Sequence, residues 1–400
     1  MSLHLPATEL EAIRIVSDLA ASSTPMAIRG GGTRSSFGRA VQHGVTVSTQ
    51  VLTGITLYEP AEQVIMAMSG TPLKLIEQAL AAKGQMLPFE PMDHRALMGT
   101  SGEPTIGAVF AGNISGPARI TRGACRDAAI GVRFINGKAE AIKSGGRVMK
   151  NVTGLDLTKL QCGAFGTLGL VTEVSFKVMP RPERAVTLVW SGLSDNDAVA
   201  LMCTALGSPF EPSAAAHLPA GLGDTRARTL LRLENFTYSI DYRAAELARL
   251  LKTHGRPDLV EGLAHDTLWR MVRDAEFFTQ DGINQDSTAI WRLSVAPTCG
   301  VDVAAAIAAA VPQAKHYYDW GGGLIWLSVP ATHDASATLI RAAIASAGGH
   351  ATLVRAANDI RASVPVFQPL ASALMKVTAG IKASVDPAGL FEPGRMYAGI

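Results

Sequence analysis

At 400 residues the chain is long enough for two domains, because single cores stop growing at about 250–300 residues. Its formal net charge of +2 and its 18% charged residues give no basic run of the kind that tracks a phosphate backbone, so nucleic acid is not expected as a partner. The most alanine-dense run, Val303 to Val311, is far shorter than the ~20 apolar residues of a membrane span, and Met1 to Pro6 lacks the basic-then-apolar order of a signal peptide. A cytoplasmic protein is expected.

The first predicted element is a helix. Thr8-Glu9-Leu10-Glu11 forms a capping box ahead of Leu10, Ile13, Val16 and Leu19 at helical spacing. A short apolar run, Met26 to Ile28, then ends abruptly in Arg29-Gly30-Gly31-Gly32-Thr33-Arg34-Ser35. Strands are predicted at Thr53–Tyr58 and Val64–Met68. Thr71-Pro72 opens a helix with Leu73, Ile76 and Leu80 inward and Gly84 as its stop. Residues 99 to 125 carry too much glycine, serine and threonine for regular structure throughout. A hairpin follows, Ala129–Ile135 and Ala139–Lys143 around the turn Asn136-Gly137. Gly163 to Val178 reads as a loop entering a strand, and Pro180-Arg181-Pro182 marks a boundary.

Beyond it, strands (Val186–Trp190, Thr229–Glu234, Ala289–Val295, Gly323–Val329) alternate with helices (Asn196–Leu206, Tyr242–His254, Val301–Val311, Ser336–Ala347). That rhythm predicts a sheet covered by helices on one face, an α+β module. The tail from Asp386 to Arg395 is turn-rich and could run back to the first domain. No repeat of fixed period is visible.

Three glycines directly after a strand let successive backbone N–H groups face one concavity, which holds an anion without a dedicated lysine. A second glycine-rich stretch, Thr100 to Ala108 and then Gly112 to Gly116, has the same character. Gly30-x-Gly32-x-x-Ser35 fails the Rossmann fingerprint, and Gly137-Lys138-Ala139 fails the Walker A loop. The residues alone leave an anion-binding loop or a plain turn.

Taken in order, the blocks Arg29–Thr33, Thr105–Val109, Ser115–Arg119, Gly123–Asp127, Gly131–Arg133 and Gly166–Glu173 resemble the FAD-binding domain of the vanillyl-alcohol oxidase and cresol-methylhydroxylase (PCMH) type. The run Gly145 to Leu160, with Trp291-Arg292-Leu293 and Asp319 to Gly322, is similar to the small FAD-binding subunits of bacterial glycolate oxidases. The resemblance implies an α+β chain: a two-subdomain FAD-binding domain over 1–183, an α+β cap over 184–375, and a C-terminal segment, 376–400, returning toward the FAD domain. It implies FAD held by Arg29, Gly30, Gly31, Gly32, Thr33, Arg34 and Ser35 at the pyrophosphate. Thr105, Ile106, Gly107, Ala108, Ser115 and Gly116 would lie along the flavin and ribityl chain, Val171 by the adenine, and Arg119 near phosphate. Where the family has paired glycines this chain has Gly107-Ala108, so backbone contact there is expected to be looser. Thr33 and Arg34 stand where some relatives carry a flavin-linking histidine, which implies non-covalent FAD.

The four cysteines, Cys125, Cys162, Cys203 and Cys299, show no CxxC spacing, and the nine histidines include no H-x-H or H-x-x-x-H pair, so no metal or iron–sulfur cluster is expected. Oxidising a 2-hydroxy acid calls for a base and an arginine to clamp the carboxylate. Arg292, Trp291 and Trp320 are the candidates, although a strand arginine lying over a packed tryptophan reads equally well. The implied partners are a larger catalytic flavoprotein subunit, an iron–sulfur subunit and a small 2-hydroxy acid, with at most peripheral attachment at the inner face of the cell membrane through the complex. A stand-alone flavin dehydrogenase and a non-catalytic structural subunit remain the alternatives.

Overall fold

The computed structural model describes residues 2–146, 154–279 and 287–400. Much of the Gly145–Leu160 run, at 147–153, therefore lies outside the described residues. The chain divides into two compact units: Met1–Ser115 with Gly123–Arg181 and Pro369–Ile400, and Gly116–Arg122 with Pro182–Gln368. The seven residues Gly116–Arg122, which the sequence reading left inside a continuous first region, group with the second unit.

In the first unit, β1 (Ser2–His4), β2 (Met26–Arg29) and β3 (Val45–Ser48) form a parallel sheet in the order β1-β3-β2. Between β1 and β2 runs α1 (Glu9–Ala21). Its start differs from the predicted box: Thr8 Oγ1 accepts from Glu11 N, but the Glu11 carboxylate turns back to Ala7 N at 2.8 Å. Its buried face is Ala12, Val16 and Leu19, and Leu10, expected inward, is 57% exposed. The inward stripe is thus rotated, because a small residue at 12 lets the helix lie close against Met26, Val45 and Val47.

The second sheet is antiparallel throughout, in the order β4 (Ile55–Glu59), β5 (Val64–Met68), β8 (Leu170–Lys177), β6 (Ala129–Ile135), β7 (Ala141–Gly145). Strand β8 lies at the sheet centre, and six of its eight residues are buried, Thr172 and Ser175 among them. The β6–β7 link is not the predicted two-residue turn. It runs over Asn136 to Glu140, with Asn136 Oδ1 accepting from Lys138 N and Glu140 N at 2.9 Å each and Ala139 at φ 60. An asparagine side chain that caps its own loop competes with the tight turn its sequence suggests. After β5, helix α2 (Leu73–Ala81) buries Leu73, Ile76 and Leu80 as predicted, with Pro72 at its N-cap. A short helix, α3 (Ile106–Ala111), then rises inside the glycine-rich stretch.

The C-terminal segment belongs to this unit. Phe391 bridges Met26, and Glu392 Oε1 accepts from Ile28 N at 2.8 Å. On the helix Ser372–Val385, Lys382 is 6% exposed and donates to Thr167 O, to Phe391 O and to the Asp386 carboxylate, all at 2.6–2.7 Å.

The second unit is built on one eight-stranded antiparallel sheet. Its strands are β9 (Arg184–Ser191), β10 (Ala214–Leu218), β11 (Arg228–Asn235), β12 (Asp258–Glu261), β13 (Thr288–Ser294), β14 (Lys315–Asp319), β15 (Leu324–Pro330) and β16 (His350–Arg355), ordered β12-β9-β11-β10-β14-β15-β13-β16. Helices α4 (Asp195–Leu206), α5 (Thr237–Leu250), α6 (Gly262–Asp274), α7 (Gly300–Ala310) and α8 (Ala337–Ala345) join them. With α6 set aside, the order is βαββαβ twice, β9-α4-β10-β11-α5-β12 and β13-α7-β14-β15-α8-β16. The two halves meet edge to edge at β10 and β14. The repeat is one of topology, which is why no fixed sequence period announces it. Four strands (β10, β12, β14, β16) and α6 were not predicted. Three of these strands are short, and β10, Ala-Ala-Ala-His-Leu, has helix-forming composition that burial on every residue overrides.

Where the halves join, Asp195 at the start of α4 accepts from His217 Nε2 (3.3 Å), His316 Nε2 (3.2 Å) and the Tyr318 hydroxyl (2.8 Å). Burial alone would raise this carboxyl, but the three donors outweigh it and hold it well below the usual aspartate value of 3.8. A depressed carboxylate contributes stability that is present above 3.8 and lost as pH falls through its lower folded value. Asp195→Ala is therefore expected to destabilise this unit by about 2 kcal/mol at neutral pH, since it strands a buried imidazole. The difference from wild type should shrink below pH ~3 in urea titrations.

Candidate functional site

A cavity of about 720 Å³, counting its open mouth, lies in the first unit where β2 ends and α3 begins. Ile28, Arg29, Gly30, Gly32, Thr33, Arg34 and Ser35 line one side, Gly107, Ala108, Ala111 and Gly112 another, and Phe165, Gly166, Gly169 and Val171 a third. Nine of the residues singled out from sequence thus meet here: Arg29, Gly30, Gly32, Thr33, Arg34, Ser35, Gly107, Ala108 and Val171.

The glycines in the first loop have distinct jobs. A Cβ on Gly31 would stand 1.8 Å from Glu103 O, and one on Gly30 would stand 2.1 Å from Thr105 Oγ1. Both are glycine because two loops cross in contact, not because φ is positive. Only Gly32 takes the left-handed conformation, at φ +81, with open space beside it. The loop's carbonyls are occupied: Arg29 O accepts from Thr49 N, Gly30 O from Ser48 Oγ, Gly32 O from Ser35 N and Thr33 O from Thr100 Oγ1. The amides of Gly31, Gly32 and Thr33 make no hydrogen bond within the described residues. Carbonyls tied back and amides left facing outward make an anion nest.

Across the cavity, Thr105 caps α3, and Gly107 N is held by Ser69 O at 2.8 Å. A Cβ at Gly107 would stand 2.5 Å from that of Ser69. Ala108 sits inside the helix, so the alanine in place of a family glycine meets no conformational penalty and the expected looseness does not follow. The Ser69 and Thr105 hydroxyls are buried with no hydrogen-bond partner in the described residues. Such groups are costly to leave unmet, and Ser69 lines the cavity.

Other predicted residues lie elsewhere. Gly31, Thr105 and Ile106 stand behind the wall, Ile106 fully buried. Arg34 lines the cavity but turns its guanidinium to His94 Nδ1 (3.1 Å) and Met92 O (3.0 Å). Ser115 Oγ accepts from Cys125 N at 3.0 Å, a loop role. Gly116 and Arg119 belong to the second unit, where Gly116 O accepts from Trp320 Nε1 at 3.1 Å. Arg292 stacks on Trp320, whereas Trp291 points to the other face, fully buried, its Nε1 donating to Ala335 O at 2.9 Å. Trp291 is therefore core. No group of three His, Cys, Asp or Glu among the described residues is placed to hold a metal ion, and no described helix is long and apolar enough to cross a membrane.

Sequence reasoning missed Thr49, Ser69, Phe37, Phe165 and Arg395 in the lining. Phe37 and Phe165 meet edge to face at 5.2 Å. Arg395, pinned by Glu392 Oε1 at 2.6 Å and Phe37 O at 3.3 Å, comes from the tail whose turns signalled a return. Thr49 and Ser69 carried no motif, only their places just past two strands.

A nest of amides, unmet buried hydroxyls and an aromatic-lined apolar wall define a dinucleotide cofactor site without Rossmann or Walker character. Residues 3–145 match the model of an FAD binding domain. The glycolate oxidase subunit GlcE of Escherichia coli (strain K12) is 32% identical over 388 residues, 96% of this chain and 95% of that one. The chain belongs to this family of FAD-linked oxidoreductases, and FAD is its cofactor. More distant relatives align only in part. Glycolate oxidase subunit GlcD of Bacillus subtilis (strain 168) is 31% identical over 46% of this chain and 36% of its own length. A D-lactate dehydrogenase of Anaerostipes hadrus is 29% identical over 36% of this chain and 29% of its own. Alkyldihydroxyacetonephosphate synthase shares the fold, with a TM-score of 0.73 at 13% identity over 98% of this chain and 76% of that one.

Proposed function

We propose that this chain is the FAD-carrying subunit of a multi-subunit enzyme that oxidises glycolate, a small 2-hydroxy acid, to glyoxylate. In this reading it works beside a larger catalytic flavoprotein subunit and an iron–sulfur subunit, in the cytoplasm and at the inner face of the cell membrane through the complex. The observation that carries the reading is the amide nest of Gly31, Gly32 and Thr33 in a chain that aligns from end to end with a glycolate oxidase subunit. Residues 1–183 with 376–400 hold the cofactor, and 184–375 form the substrate side.

FAD supplies a two-electron acceptor for a CH–OH carbon. The protein's part is to bind and orient it: the amides of Gly31 to Thr33 hold the pyrophosphate, Ser69 and Ala108 lie along the ribityl and flavin, and Val171 and Ile28 give an apolar seat. Four scattered cysteines with no cluster spacing support a reading in which the electrons leave through another subunit.

Non-covalent FAD is the expectation, supported by a described cavity lining in which Thr33 and Arg34 stand and neither histidine nor cysteine is found. Acid precipitation should give a colourless pellet and a yellow supernatant; yellow retained in the pellet contradicts this. The division of labour is tested by anaerobic stopped-flow mixing with glycolate. The isolated chain is expected to keep its flavin absorbance, and to lose it once the partner subunits are added. Rapid bleaching of the isolated chain would establish a stand-alone dehydrogenase instead.

A further inference from the structure

The second unit carries a surface that the FAD reading does not use. All three exposed aromatic side chains among the described residues lie in one short stretch, at or just before the first turns of α5. Phe236 is 73% exposed, Tyr238 is 89% exposed, and Tyr242 stands one turn further on. Leu259 on β12 and Leu263 at the start of α6, the latter 82% exposed, extend the patch. Large apolar side chains gathered on a surface mark an interaction site, and aromatic residues are those that the centres of protein interfaces favour.

The patch frames an open sheet edge. Strand β12 pairs only with β9, and Asp258 to Val260 form no other backbone hydrogen bond among the described residues. The opposite edge is covered, since Leu353 N of β16 donates to Val366 O at 2.8 Å. On β9, Arg184 reaches Asp241 of α5, whereas Thr187 Oγ1 meets His265 Nδ1 and Trp269 Nε1 of α6, each at 2.8 Å. Side chains three apart on a strand point to opposite faces, so α5 covers one face beside this edge and α6 the other. A strand added to β12 would set alternate side chains against the aromatic patch and against Leu263.

Charge decides what can take that place. Glu183, Asp241, Glu261 and Asp266 surround the patch, and Arg184, bound to both Asp241 and Glu261, offsets one of those charges. Arg243 and Arg270 nearby are each matched by a glutamate of their own, Glu211 and Glu276. Lys252 and Arg256 lie in the connection that enters β12 at its other end. The surface is therefore net negative around an apolar centre. A second copy pairing edge to edge would bring like carboxylates together, and an anionic bilayer would be repelled. A basic protein segment meets neither obstacle.

We propose that the β12 edge, with Tyr238 and Leu263 on its flanks, docks an extended apolar and basic segment of another subunit, added to the eight-stranded sheet as one more strand. The inference rests on the reading above that this chain works within a multi-subunit enzyme. Main-chain hydrogen bonds to Asp258 to Val260 supply affinity, while the patch and its carboxylates select the partner.

The test is co-expression of the full, tagged chain with the larger flavoprotein and iron–sulfur subunits, followed by affinity capture at low and high salt. Wild type is expected to hold a partner subunit, and less of it as salt rises. Tyr238→Lys and Leu263→Lys should each lower the partner held by at least about tenfold, since each removes an apolar anchor and adds a charge of the partner's sign. Leu263→Glu should lose less than Leu263→Lys. Both side chains stand mostly in water, so FAD content and melting temperature of the isolated variants should match wild type, which separates loss of docking from loss of fold. Full capture by both lysine variants would overturn the proposal and leave the multi-subunit reading standing. A wild-type chain that captures neither subunit would defeat that reading and this surface with it. A dimer of the isolated chain broken by Leu263→Lys, or binding to vesicles of phosphatidylglycerol and phosphatidylethanolamine abolished by Leu263→Glu, would establish a different occupant and overturn the assignment.

Discussion

Gly31→Ala is expected to yield a chain that no longer retains FAD through purification. Its new methyl would stand 1.8 Å from Glu103 O, a backbone carbonyl that cannot rotate aside. Overpacking of this kind costs about 1–3 kcal/mol even when flexible side chains can give way, so the upper end or beyond is expected here. The strain falls on the loop whose free amides form the nest, and cofactor affinity should drop by at least about a hundredfold if roughly 3 kcal/mol falls on the bound state. Gly32→Ala makes the useful contrast. It has open space but φ +81, so only the left-handed penalty of about 1–2 kcal/mol applies. Equilibrium dialysis against FAD should rank the proteins wild type, Gly32→Ala, Gly31→Ala; the reverse order of the two variants would refute the loop-crossing account.

Asp386→Ala is expected to be the most destabilising single change in the first unit. Its carboxylate faces the Lys382 ammonium at 2.6 Å and accepts from Leu390 N and Phe391 N at 2.9 Å each, with both side chains buried. Removing one member of a buried pair leaves the other charge uncompensated and costs about 3–5 kcal/mol. Because the same segment carries Glu392 and Arg395 into the cavity wall, FAD loss should accompany the loss of stability. Adding Lys382→Met removes the stranded ammonium but leaves two backbone amides unmet, so the double variant should recover only part of the difference. Urea unfolding followed by flavin fluorescence reads both effects, and a double variant no more stable than Asp386→Ala would contradict the ion-pair explanation.

Legibility in the sequence tracked how locally each feature is determined. The α2 helix was readable because its inward residues, proline and terminal glycine all lie within a dozen positions. The anion loop was readable as a loop, but the reason for two of its glycines was not. Gly30 and Gly31 answer to Thr105 and Glu103, more than 70 residues away, and no local pattern reports such a crossing. Arg292 and Trp291 show the same limit. Adjacent strand residues face opposite ways, so one became core and the other part of a cation cluster, and only the sheet settles which. The doubled βαββαβ order was invisible because topology can repeat while side chains diverge. Resemblance to an FAD-binding family carried what local rules could not, since it encodes the return of Gly166 to Val171 to the same cavity.

The central claim is that this chain grips FAD by its pyrophosphate, on the amides of Gly31, Gly32 and Thr33. It is tested most directly by comparing the affinity of the FAD-stripped protein for FAD and for riboflavin, which carries the same ring and ribityl chain but no phosphate. Backbone amides donating to a charged oxygen contribute about 1.5–3 kcal/mol each, so FAD should bind at least about a hundredfold more tightly, with the advantage shrinking as salt is raised. Equal affinity for the two flavins would contradict the claim.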